Sequence, residues 1–227
     1  MTLISGGSSS PSPLPSSASS SPFSSQSPSP SSPRAIEPRE LTAGDLLLRP
    51  FTESDEAAVG RAMEDPGILR WAAGLAVNGA ARADRARVWL APRLLSWQYG
   101  SAPFAVTDAA SGELLGYVTV RDAHRVPGQA EAAYWVTPAA RGRAVAARAL
   151  DAAARWAFAA PADGGLGVHR ISLDHSLANP GSCRVAARAG FPQEGVMRDF
   201  FLDPAGERHD SHLHARLATD DVVPPSS

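Results

Sequence analysis

The stretch Arg141-Gly142-Arg143-Ala144-Val145-Ala146 bears most directly on chemistry. It lies between an aromatic, apolar run (Ala132-Ala133-Tyr134-Trp135-Val136) and a helix-favouring one from Ala146 to Ala160. A strand that turns abruptly into a helix leaves the first N–H groups of that helix without intrahelical acceptors. The helix dipole puts partial positive charge at the same end, which suits a phosphate or pyrophosphate. Small residues at the junction let such a group approach the backbone.

Other reactive side chains have blander readings. His209, Asp210, His212 and His214 cluster in sequence. Strand alternation puts His212 and His214 on one face and His209 on the other, with no cysteine or further histidine nearby in sequence, so no metal site is expected. Cys183 has no histidine beside it in sequence and is read as a small buried residue rather than a nucleophile. Arg121, His124 and Arg125 read as a solvated hairpin edge.

The elements that must position the junction follow from pattern. Leu46–Phe51 reads as a short strand stopped by Pro50, and Ser54 or Asp55 as the cap of a helix to about Glu64, ended by Asp65-Pro66-Gly67. A loop carrying Trp71 leads to an amphipathic helix over about 81–99. Strands are expected over 104–107, 114–120 and 131–136, a helix from Gly142 to Ala160, a strand over 171–174 and a short helix over 180–188. A closing hairpin joins 195–202 to 208–217. The order is that of an α/β (α+β) domain, a mixed sheet with helices packed on it and one strand-helix-strand crossover.

Composition narrows the setting. Net charge is −2 over 227 residues, which argues against general nucleic-acid or membrane binding. All 21 basic residues are arginine, a pattern of coding bias rather than of function. Residues 1–40 are Ser/Pro-rich and expected to be disordered, 41–219 form one domain, and 220–227 a second disordered tail. The N-terminal segment lacks the basic start and apolar run of a signal peptide, no run approaches membrane-spanning length, and a lone cysteine gives no disulfide framework. A cytoplasmic protein, monomeric or homodimeric, is the expectation.

The tract Tyr134–Ala149 resembles the acyl-CoA motif of the GNAT N-acyltransferase superfamily, Arg/Gln-x-x-Gly-x-Gly/Ala after a strand that ends near a proline. Asn179-x-x-Ser182, Ala189-Gly190-Phe191, Glu194-Gly195, the opening Leu48-Arg49-Pro50-Phe51-Thr52-x-x-Asp55 and the late Gly206-x-x-x-Asp210 are similar to the RimJ/RimL-like, ribosomal-protein N-acetyltransferase branch. The resemblance spans nearly all of 44–218. It implies a GNAT fold with a mostly antiparallel sheet of about seven strands, splayed between the fourth and fifth, and four flanking helices. It also implies acetyl-CoA as co-substrate, with pyrophosphate against Arg141, Gly142, Arg143, Ala144, Val145 and Ala146, the pantetheine arm against backbone at Trp135 and Val136, and Asn179 and Ser182 nearby.

The same resemblance implies roles. Glu131 would take the amine proton, as a glutamate often does in this branch. Many superfamily members protonate the leaving thiolate with a tyrosine seven residues after the asparagine; here that position is Ala186, which leaves Ser182 as candidate. Asn179 and Ser182 equally suit a helix cap. Trp89 and Trp97, eight apart, read as core, and Trp71 as an acceptor contact. The family's middle glycine is Ala144 here. In a helical conformation Ala favours the fold by up to roughly 1 kcal/mol over Gly, and in a left-handed one it costs roughly 1–2 kcal/mol; the helical conformation is expected. The chain thus reads as an N-acetyltransferase acting on a primary amine, either a protein N-terminus or a small molecule, by direct attack in a ternary complex. Ala144 and Ala186 leave open an impaired acyl-CoA-binding sensor or scaffold, and a larger acyl group is a further alternative.

Overall fold

The computed structural model describes residues 35–123 and 125–221. His124, most of the expected N-terminal tail and most of the C-terminal one lie outside the described residues.

Among the described residues, eight strands form one sheet: β1 (Leu41–Ala43), β2 (Leu46–Pro50), β3 (Ala102–Asp108), β4 (Leu114–Arg121), β5 (Gln129–Val136), β6 (Arg170–Ser176), β7 (Gln193–Leu202) and β8 (Arg208–Leu217). Their order is β1-β2-β3-β4-β5-β6-β8-β7, and only β5 and β6 run parallel. The additional strand β1 is three residues long, too short to show a period, and is held by its antiparallel register with β2.

The helices are α1 (Glu56–Ala62), α2 (Pro66–Trp71), α3 (Leu75–Gly79), α4 (Arg85–Leu95), α5 (Val145–Phe158) and α6 (Pro180–Arg188). Two of them replace the loop expected around Trp71. Asp65 and Pro66, read as a helix stop, also start α2: the Asp65 carboxylate accepts from Ile68 N at 2.8 Å and Pro66 occupies the first turn. The first helix is capped earlier than expected. Thr52 N donates to Asp55 at 2.9 Å, while Arg49 grips the same carboxylate at 2.7 and 2.8 Å. Burial raises the Asp55 pKa, but Arg49 and Thr52 outweigh it and leave it lowered. The Arg49-to-Asp55 motif is therefore a latch from β2 to α1.

Alternating residues divide the core between the two faces of the sheet. Leu48, Phe104, Val106, Val118, Val120, Ala132 and Ile171 pack with α5 and α6. Ala105, Tyr117 and Trp135 pack with Phe51, Val59, Val77, Trp89 and Leu90 on the other side. Trp89 and Trp97 are core, as their spacing suggests. Alanines line the inner face of α5 and let it lie close to the sheet. Its buried charges are paired: Asp151 accepts from Arg216 at 2.7 Å and Arg155 at 2.9 Å, and Arg148 meets Asp45.

Candidate functional site

The site begins where β5 and β6 part. Their register has three pairs, Gln129↔Arg170, Ala130↔Ile171 and Glu131↔Ser172. Beyond these, β5 stays on β4 as far as Val136 and β6 stays on β8 as far as Ser176. The facing edges at 132–136 and 173–176 thus present backbone N–H and C=O groups with no strand between them. Gly116 helps produce the gap. A Cβ there would stand 2.5 Å from the Trp135 carbonyl, so only glycine lets β5 lean this far onto β4.

A groove of about 710 Å³ runs through the gap. Trp135, Val136, Gly142 and residues 144–147 line one end, and Asn179 and Ser182 of α6 one wall. Arg70, Trp71, Phe201 and Pro204 line another stretch, so Trp71 stands in the groove. Its ring sits 5.6 Å from Phe201 and 5.9 Å from His209, with Arg70 stacked 4.3 Å from its centroid.

At the strand-to-helix junction the structure corrects one expectation. Ala144 is left-handed, with φ 54° and ψ 12°, and α5 begins only at Val145 rather than at Gly142. Gly142 is left-handed too, at φ 79°, and Arg143 between them is not. This alternation turns successive N–H groups toward one concavity, and α5 adds its own unpaired first-turn donors there. Composition favours a helical Ala144 because alanine rarely adopts positive φ; the sharp turn from Thr137 into α5 overrides that preference. The two arginines differ in place, Arg141 lining the groove and Arg143 lying outside it. Arg141 is ion-paired with Asp65 and ties α2 to the junction, and the exposed Arg143 does not line the groove.

Asn179 caps α6, its side chain accepting from Ser182 N at 3.4 Å. Ser182 has a partner that sequence reasoning missed. The Tyr134 hydroxyl lies 2.6 Å from Ser182 Oγ and donates to the Ser182 carbonyl at 3.1 Å. Burial pushes the phenol's pKa well up, partly offset by the Ser182 hydrogen bond, so Tyr134 is a protonated donor at neutral pH. Ala186, seven residues after Asn179, is fully buried in the core.

Glu131 is placed beside the groove rather than in it. It pairs with Arg121 at 3.0 Å and does not line the cavity, whereas Asp174 does. Asp174 follows Ser172, the register partner of Glu131, by two residues, so the carboxylates share one face of the sheet. Asp174 is exposed on this face and lines the groove. Burial raises its pKa, Arg121 opposes this, and the Glu131 charge raises it further. The parallel register of β5 on β6 brings these acids together, and one strand read alone could not show it.

The acetyltransferase (GNAT) domain family matches residues 45–192. The chain belongs to the GNAT acetyltransferase family. It is accordingly an acyl-CoA-dependent N-acetyltransferase, with acetyl-CoA as co-substrate. The ribosomal-protein-S5-alanine acetyltransferase of Vibrio fischeri superposes with a TM-score of 0.65 at 19% identity, over 80% of this chain and 98% of that one. RimJ of Mycobacterium smegmatis, determined with CoA-disulfide, gives 0.65 at 23% identity over 82% and 88%. RimL, a ribosomal L7/L12 alpha-N-protein acetyltransferase determined with coenzyme A, gives 0.65 at 18% over 79% and 98%. No curated protein matches the sequence. The eight-stranded sheet with its single parallel pair is the expected GNAT architecture, one strand larger. Among the described residues no helix is long and apolar enough to cross a membrane.

The groove suits the co-substrate on physical grounds. Its unpaired strand edges can hydrogen-bond an extended amide arm, and its left-handed turn can hold a pyrophosphate.

Proposed function

We propose that this GNAT enzyme acetylates a primary amine, on a protein N-terminus or a small molecule, by direct attack in a ternary complex. The observation that carries this reading is the groove between β5 and β6, with an anion cradle at one end and Asp174 along its wall, Glu131 standing beside it on the same sheet face. No described cysteine lines the groove, Cys183 facing His212 instead, which favours direct attack over a covalent relay.

Acetyl-CoA supplies the thioester carbonyl. The N–H groups of residues 142–146 hold the pyrophosphate, and the backbone at Trp135 and Val136 pairs with the pantetheine amides. Asn179 fixes the start of α6 and with it Ser182. Asp174, its pKa raised, accepts the amine proton. Glu131 sustains that raised pKa, a change from the direct base role first expected of it. Ser182 hydrogen-bonds the departing sulfur, with the Tyr134 hydroxyl holding Ser182 in place from behind, and Trp71 contacts the acceptor. A cytoplasmic enzyme, monomeric or homodimeric and free of nucleic-acid and membrane contacts, completes the proposal.

The test is thiol release from acetyl-CoA across peptides with free N-termini and small amines. Turnover with one class names the acceptor. Tight CoA binding without turnover on any amine would reject catalysis in favour of a sensor or scaffold. Faster turnover with propionyl- or succinyl-CoA would reassign the acyl group.

A further inference from the structure

Four side chains outside the reacting groups converge behind α6. His175 of β6 stands opposite His212 of β8 in the strand register, His214 lies two residues further along β8, and Cys183 projects from α6. One ligand atom from each lies within 4.8 Å of all the others. His175 Nε2 and His214 Nε2 are 3.2 Å apart, and Cys183 Sγ is 3.8 Å from His212 Nδ1. A tetrahedral zinc ion with bonds of about 2.0–2.1 Å to nitrogen and 2.3 Å to sulfur holds its ligand atoms about 3.3–3.6 Å apart. The two contacts are close to that spacing.

The protons on these rings supply an independent argument. His175 Nδ1 lies 3.0 Å from the Ser176 carbonyl, and His214 Nδ1 lies 2.9 Å from the Phe191 carbonyl. A carbonyl only accepts, so each contact needs an N–H, and the Nε2–Nε2 contact needs a third. Two neutral imidazoles carry two. Both rings are buried, His175 at 6% exposure and His214 at 2%, so a proton trapped between them would be a poorly solvated charge. A metal ion removes the conflict: each Nδ1–H stays on its carbonyl and each Nε2 offers its lone pair. Carbonyl-held Nδ1–H groups of this kind typically orient histidines that bind metal through Nε2.

We propose that His175, Cys183, His212 and His214 form a closed site of three imidazole nitrogens and one thiolate sulfur for a divalent ion of zinc type. Imidazole with thiolate selects a borderline-soft metal over Mg²⁺ or Ca²⁺, and four protein ligands mark a structural site rather than a catalytic one. Binding replaces the Cys183 S–H bond with S–metal and releases one proton to solvent. Acetyl transfer itself stays metal-free. The ion ties α6, which carries Asn179 and Ser182, to β6 and β8 and so stiffens one wall of the groove.

The test uses the full chain stripped with a chelator, titrated with Co²⁺ and then Zn²⁺, in the absence of any acyl-CoA. One equivalent of Co²⁺ should give tetrahedral d–d bands with a thiolate charge-transfer band, both displaced by Zn²⁺. Free Zn²⁺ at about 100-fold above Kd should raise Tm by about 5–10 °C. Cys183→Ser should abolish the charge-transfer band, and His212→Ala should weaken binding by at least the roughly 10–100-fold that changes outside the ligand sphere cost. His209→Ala should leave the spectrum intact. Substoichiometric binding, octahedral bands, or an unchanged spectrum in Cys183→Ser or His212→Ala would overturn the site. Circular dichroism of each variant separates a lost ligand from a lost fold.

Discussion

Ala144→Gly tests the cradle at its most constrained residue. A left-handed alanine costs roughly 1–2 kcal/mol because its Cβ crowds the following carbonyl. Glycine removes that cost but loses roughly 0.5–1 kcal/mol more backbone entropy on folding. The difference leaves the variant about 0.5–1 kcal/mol more stable, or about 1–4 °C in Tm for a domain of this size. The turn that aims the N–H groups is unchanged and a methyl that lines the groove is gone, so CoA affinity should hold or improve.

Gly142→Ala is the matched opposite. Its φ is 79° and an added Cβ would meet nothing within 4 Å, so the cost is conformational alone. That cost should lower Tm by a comparable few degrees. Thermal melts of both variants with and without CoA, alongside calorimetric titration, give the stability and affinity of each. A fall in Tm for Ala144→Gly, together with several-fold weaker CoA binding, would refute the left-handed assignment and return the residue to the first turn of α5.

Asp174→Asn should lower kcat by about 10²–10⁴ and erase the acidic limb of the pH–rate profile. Glu131→Gln removes a charge that raises the Asp174 pKa, so the limb should move to lower pH with a smaller loss of rate; an unmoved limb would uncouple the pair. Tyr134→Phe and Ser182→Ala should each cut kcat by about tenfold with little change in acetyl-CoA KM, and the double variant should lose less than the product, since the two hydroxyls act as one unit. Asp203 is buried; burial raises its pKa, but His209, the N–H groups of Glu207 and Ala205, and Arg70 bring it down to about 2. A lowered folded pKa gives stability that is full above pH 3.8 and lost as pH falls toward 2. Acid melts of Asp203→Asn should therefore be flatter over that window and start from a lower Tm at neutral pH.

Local features were the readable ones. The apolar runs at 114–120 and 131–136 and the alanine-rich stretch after the junction located β4, β5 and α5, because burial on a sheet face or helix stripe imposes a period that composition cannot hide. Trp71 stood out in the sequence because a large aromatic outside the core needs a surface to pack on, and that surface is the groove wall. Features set by contacts between distant segments were not readable. The conformation of Ala144 is imposed by its flanks against its own propensity. The partnership of Tyr134 with Ser182 spans 48 positions and depends on α6 folding back over β5. Asp174 looks like an unremarkable strand-end acid until register sets it beside Glu131. The discounting of a histidine cluster rested on sequence distance, yet His175 and Cys183 reach His212 and His214 through the sheet and α6.

These omissions share a cause that bears on how the groove works. Most of them lie at or beside the seam where β5 and β6 part, and a seam is made by what does not pair. Gly116 lets β5 lean onto β4, while seven register pairs with β8 hold β6 on the other side. The two halves of the sheet are thus each internally bonded, and joined by three pairs and the α5 crossover. Edges that satisfy each other cannot bind a ligand, so the backbone groups at 132–136 and 173–176 are available only because their natural partners are held apart. It follows that groups set on opposite sides of the seam, Tyr134 on β5 and Ser182 on α6, or Glu131 on β5 and Asp174 on β6, report its width. A substitution that narrows or widens the gap should alter binding and chemistry together, even where it touches neither ligand.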